Sequence, residues 1–113
     1  MRYALLIAYD ETTDAAMSPE EGQAQMAAYM AFQEQAGSAI LSGERLHPTP
    51  DATTVKVRNG EVLTSDGPFA ETKEQIVGFY LVDAKDLDEA IDLASKIPGA
   101  RNGSIEVRPV WEM

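Results

Sequence analysis

Two segments of this chain, "RYALLIAY" at residues 2–9 and "QIVGFYLVDA" at residues 75–84, are apolar on both faces when read with the two-residue period of a β-strand. In the first, Tyr3, Leu5, Ile7 and Tyr9 point one way and Ala4, Leu6 and Ala8 the other. In the second, Val77, Phe79 and Leu81 oppose Ile76, Tyr80 and Val82. Edge strands and strands with one wet face alternate apolar with polar residues, so both segments are expected in the middle of a sheet.

The rest of the chain supplies what surrounds them. "DETTDAAM" reads as a polar loop, after which Ser18, Pro19 and Glu21 give an N-cap, a first-turn proline and the acid of a capping box. The helix they open carries Met26, Tyr29, Met30 and Gln33 as its stripe, with both methionines in the core, and Gly37 ends it. "SAILSGERLH" predicts a second strand, broken or bulged near Gly43. "TTVKVRNGEVLT" predicts a hairpin turning at Asn59-Gly60, since both central residues of a type I′ turn need positive φ. Asp86 and Glu89 open a further helix with Leu87, Ala90, Ile91, Ala94 and Ile97 on one side, stopped at Pro98-Gly99. The last strand alternates Ile105, Val107, Pro109 and Trp111 against Glu106, Arg108 and Val110, and Pro109 suits an edge.

The resulting order, βαββ(β)αβ, is that of an α+β sandwich of ferredoxin-like type with an extra hairpin strand, in one domain spanning residues 1–113. Two helices cover only one face of such a sheet. The apolar residues of the other face call for a partner, and a homodimer joined sheet face to sheet face is expected.

Nineteen acidic against nine basic residues give a net charge of −10, which repels phosphate backbones and argues against nucleic acid as a partner. Cysteine is absent, which removes thiolate nucleophiles, thiolate metal sites and disulfides together. The N-terminal apolar run is too short for a signal or spanning segment, so neither membrane nor export is expected, and a cytoplasmic location follows. With a single histidine and dispersed glycines, no metal site and no cofactor are predicted.

One stretch stands apart: "TSDGPFAETKE", residues 64–74. Asp66, Gly67 and Pro68 suit a rigid turn, with the Asp66 side chain bonding backbone two residues on. One reading is a capped surface turn with Phe69 tucked into the core. The other is a ligand-binding loop, in which Asp66, Glu71 and Glu74 line a cleft with Lys73 among them and desolvation suits one carboxylate to proton transfer. His47, in "GERLHPTP", is either an assisting base or a loop residue beside two prolines. Arg108 either holds an anionic ligand group or pairs with one of the many acids.

On "TSDGPFAETKEQIVGFYLVD", "ATTVKVRNGEV" and "EVRPV", the chain resembles the YCII-related superfamily, in its DGPF-domain branch, over essentially its whole length. That resemblance implies a ferredoxin-like fold assembled as a dimeric α+β barrel with a cleft near the dimer interface. It also implies suspected enzymatic activity through a histidine-aspartate pair, one relative being a dehydrochlorinase of a chlorinated hydroxyhydroquinone. The histidine of that pair is expected early in the first helix, and "SPEEGQAQMAAYMAFQEQ" has none. The expectation is therefore a small-molecule site bordered by Gly67, Pro68, Phe69, Glu71, Thr72 and Lys73, with lyase or isomerase chemistry. Asp66 or Glu74 would act as base, Lys73 and Arg108 would stabilise an anion, and His47 would assist. The alternative implied by the resemblance is a regulatory or adaptor role beside an extracytoplasmic-function sigma factor, with the same loop as contact surface.

Overall fold

A computed structural model describes residues 1–113. The chain forms six strands, β1 (Arg2–Tyr9), β2 (Ile40–Arg45), β3 (Thr53–Arg58), β4 (Glu61–Asp66), β5 (Gln75–Asp83) and β6 (Ser104–Pro109), and three α-helices. The helices are α1 (Thr12–Ala15), α2 (Pro19–Ala36) and α3 (Leu87–Ser95). Four strands form an antiparallel sheet in the order β2-β5-β1-β6, and β3 and β4 form a separate hairpin. The two segments apolar on both faces are its two central strands, and the proline-containing β6 is an edge.

The core lies on one side of this sheet. Tyr3, Leu5, Ile7 and Tyr9 of β1 and Tyr80 and Val82 of β5 are buried against Phe32 of α2, Ala90 and Ala94 of α3, and Ile97. On the other side Ala4, Leu6 and Ala8 stand beside Leu81, Phe79 and Ile76, and no helix covers them. This makes an α+β fold with its helices on a single face of a four-stranded antiparallel sheet.

Local signals account for most of the boundaries. Ser18 and Glu21 form the reciprocal capping box, Pro19 takes the first helical position, and Gly37 ends α2 at φ 54°. Asp86 caps α3 by accepting from Glu89 N. Arg58 pairs with Glu61 across Asn59 (φ 52°) and Gly60 (φ 77°), as a two-residue hairpin turn requires.

Four details depart from the sequence expectations. Asp10 accepts from Thr12 N and its hydroxyl, which winds the supposed loop into α1. Met26 and Met30 are 63% exposed, because α2 presents Tyr29, Phe32 and Ala36 to the sheet and is thereby rotated from the methionine stripe. Phe69 is 84% exposed rather than tucked inside. In β5, Ile7 pairs with Gly78 but Ala8 with Ile76, so Val77 bulges out of the ladder. Val77 packs on the core and Ile76 goes to the open face, the reverse of simple alternation. A similar shift at Leu41 is the irregularity expected in β2 near Gly43.

Candidate functional site

The Val77 bulge, Gly43 and the inner side of α2 enclose a cavity of about 270 Å³. Tyr9, Tyr29, Gln33, Arg45 and Tyr80 give it polar groups, while Ile7, Met26 and Val77 give it apolar walls. A second hollow of about 280 Å³ adjoins it, sharing Arg45 and Val77 and adding Glu11, Asp14, Leu46 and Pro48. Such a mix of apolar walls and a few convergent polar groups is what small-molecule sites have in common.

Each polar group is held. Tyr80, opposite Gly43 in the sheet, packs its ring 5.3 Å from that of Phe32 and accepts a 2.9 Å hydrogen bond from Gln33 Nε2. Tyr9 donates to Asp14 Oδ2 at 2.7 Å, and Arg45 Nη2 approaches the same oxygen at 3.5 Å. Asp14 Oδ1 is shielded from water and has no partner at all. Unpaired carboxylate oxygens are costly in an interior and mark places where a structure is incomplete without something else. Glu11 ties the neighbouring chain down, accepting from the amide and hydroxyl of Thr49.

Burial raises the Tyr9 phenol far above its ordinary value, and the bond to Asp14 adds to it. Tyr29 is raised too, again chiefly by burial. Both are therefore neutral hydrogen-bonding groups at physiological pH, not phenolates. Folded values above the unfolded one, about 10, mean the unfolded chain releases these protons first. Their contribution is level below about pH 10 and is lost as pH rises beyond it. Urea midpoints at pH 9, 10 and 11 should fall, and Tyr9→Phe should flatten that fall; parallel slopes for the two proteins would refute the assignment.

The residues singled out from sequence lie elsewhere. Gly67 (φ 97°) donates to Ala52 O at 2.8 Å and accepts from Thr54 Oγ1 at 2.8 Å, which fastens the turn after β4 to the root of β3. Asp66, Glu71, Lys73 and Glu74 are exposed, and Thr72 bonds its hydroxyl to Glu74 O. Gln75 Nε2 holds the loop by donating to Ala70 O and Thr72 O. Pro68 is half-buried, and the Lys56 ammonium lies 6.0 Å over the Phe69 ring. Lys73 lies near enough to Asp10 to help lower its pKa, though hydrogen bonds from Thr12 do most of that. This brings the loop to the end of β1 from which α1 and Asp14 follow. His47 pairs with Asp51 at 3.2 Å on the surface, and Arg108 with Glu106 at 3.6 Å on the open sheet face. None of these residues lines the cavity.

The profile of the YCII-related domain matches residues 1–113, from end to end. The chain belongs to the YCII-related family. It is similar to an uncharacterised protein of Rhizobium meliloti (strain 1021), 45% identical over 97% of this chain and 92% of that one. Among these YCII-related residues, Asp14, Tyr29, Gln33 and Arg45 carry no motif in the sequence. The one usable signal was Asp10 two residues before Thr12, an Asx turn that stations Asp14 beside Tyr9. No helix is long and apolar enough to cross a membrane.

Proposed function

We propose that this protein binds a small, partly apolar molecule bearing an acidic group in the cavity between α2 and the sheet. The observation that carries the reading is the buried, unpartnered Oδ1 of Asp14 beside a cavity whose lining includes three phenols, two amides and a guanidinium. Arg45, whose side chain is 74% exposed, stands at the mouth with donors free to meet a carboxylate. Asp14 is the proton acceptor of a lyase or isomerase step, the role that the sequence reading gave to Asp66 or Glu74. Tyr9 orients Asp14, and the Tyr29 and Tyr80 hydroxyls are placed to hydrogen-bond the ligand.

In this reading the molecule works as a homodimer of dimeric α+β barrel type. Ala4, Leu6, Ala8, Phe79 and Leu81 form an apolar sheet face with no second layer, and a copy of the same face is the simplest cover.

The test uses a panel of aromatic and aliphatic hydroxy acids, followed by amide chemical shifts and by solvent-deuterium incorporation at carbon. Shifts are expected at Gly43, Val77 and Gly78. Arg45→Ala should weaken binding about tenfold or more, the loss of one charged hydrogen bond, with little change in thermal midpoint. Asp14→Asn should abolish the exchange while binding persists. Shifts confined to other surfaces would remove the cavity from the argument, and exchange that survives Asp14→Asn would remove the base.

A further inference from the structure

The β3-β4 hairpin has no backbone ladder except to itself; its hydrogen bonds to the adjoining chain are at its root, at Ala52, Thr54 and Gly67, and Lys56 lies over the Phe69 ring. Isolated two-stranded hairpins are marginal in water, yet this one turns its apolar side outward. Val55, Val57 and Val62 share a face and are 59%, 58% and 68% exposed. The arm also shows in the dimensions. The radius of gyration is 15.9 Å, against about 13 Å for a compact domain of this size, and the molecule is a plate of 47 × 44 × 19 Å.

We infer that the hairpin is an arm that clasps a second copy of this chain, its Val55, Val57 and Val62 face packing on the partner. The inference rests on the self-association proposed above and names a surface beyond the sheet face. Surface area selects the occupant. A compact monomer of 12.3 kDa exposes about 6,100 Å², whereas this chain exposes 8007 Å². The difference, about 1,900 Å² per chain, is of the order an obligate homodimer buries. Four strands about 4.8 Å apart and six residues long present only about 400 Å² in plan. The open sheet face therefore leaves much of that surplus, and the arm, exposed along almost every residue of both strands, contributes to it.

Charge favours the same pairing. Lys56 and Arg58 offset Glu61 and Asp66, so residues 53–66 are neutral and the net −10 of the chain lies wholly outside them. Two strongly acidic copies meet with least repulsion where one offers a neutral, valine-rich arm. The "DGP" turn then has a mechanical part. Gly67, at a φ of 97° that other residues avoid, is clamped by Ala52 and Thr54 at the arm's root and sets its direction.

Sedimentation equilibrium of the full chain, its Val57→Lys/Val62→Lys variant and a Leu6→Lys variant decides the matter, with far-ultraviolet circular dichroism as the folding check. The wild type should be a dimer, and the arm variant should dissociate at least tenfold more readily while keeping the helix signal. A wild-type dimer that the arm variant leaves unchanged and Leu6→Lys disrupts would overturn the arm but keep the sheet-face interface. A monomeric wild type would overturn both. A mixed-label sample gives an independent reading without substitution. Filtered NOEs from the Val55, Val57 and Val62 methyls to the unlabelled copy are expected, and their absence in a dimer would end the proposal.

Discussion

Leu5→Ala is expected to remove about 3–5 kcal/mol of stability, the range for a leucine lost from a rigid core. Leu5 is 0% exposed at the centre of β1, paired with Tyr80 on one side and Val107 on the other. Strands flank it in the sheet, and the helical layer packs on the same core, so the cavity has little freedom to collapse. Since a domain of this kind holds about 5–15 kcal/mol in total, the variant should be near the edge of folding at 37 °C. Each kcal/mol is worth about 4–8 °C in domains slightly smaller than this one, so a fall of at least 12 °C is expected. Urea and thermal unfolding measure it directly. A loss under about 1 kcal/mol would show that β1 is not the packed centre described above.

Gly43→Val should damage both fold and cavity. A Cβ on Gly43 would sit 2.5 Å from Tyr80 Cδ1 and 3.0 Å from Phe79 O, so the tyrosine ring occupies the place a side chain would need. This is a glycine covered by a cross-strand aromatic ring. Displacing the ring breaks its contact with Phe32 and its bond from Gln33, and overpacking of this sort costs about 1–3 kcal/mol. The variant should lose about 2–3 kcal/mol and, with the cavity wall gone, all measurable hydroxy-acid binding. Near-ultraviolet circular dichroism, which reports the Tyr80 environment, separates this from simple unfolding. Wild-type binding by Gly43→Val would mean that the ligand does not enter beside Tyr80.

The contrast between these two positions shows what a sequence of this kind makes legible. Leu5 was readable because a short run apolar on both faces marks a central strand, and the capping box at Ser18 and the turn at Asn59-Gly60 are equally local signals. Hydrophobic patterning and turn chemistry are local, and the chain wrote them plainly. The cavity and its adjoining hollow were not readable, since Asp14, Tyr29, Gln33, Arg45 and Gly43 come from three elements and converge only after the sheet has formed. Val77 adds a further obstacle. A single bulge reverses which residue faces the core, and period-two reading has no means of placing it. The 64–74 loop is conspicuous because charges crowd on a turn; in the fold Asp66, Glu71, Lys73 and Glu74 are exposed and Gly67 anchors the turn. Methionines at helical spacing are conspicuous too, but Tyr29 and Phe32 are bulkier and set the rotation of α2.

The strand order also imposes a timetable. β1 precedes every other element of this fold in the chain, yet its two neighbours in the sheet are β5 and β6, beginning at Gln75 and Ser104. At about 5–20 residues per second, Tyr3, Leu5, Ile7 and Tyr9 wait for roughly 5–20 s before the last partner has been made. No strand made early can pair with them, since β2 pairs with β5 and the hairpin pairs only with itself, and α2, through Phe32, is the one early element that packs on the same core. A nascent chain in this position keeps an apolar strand without its sheet partners until β5 has been made. Its vulnerable period is birth rather than maturity.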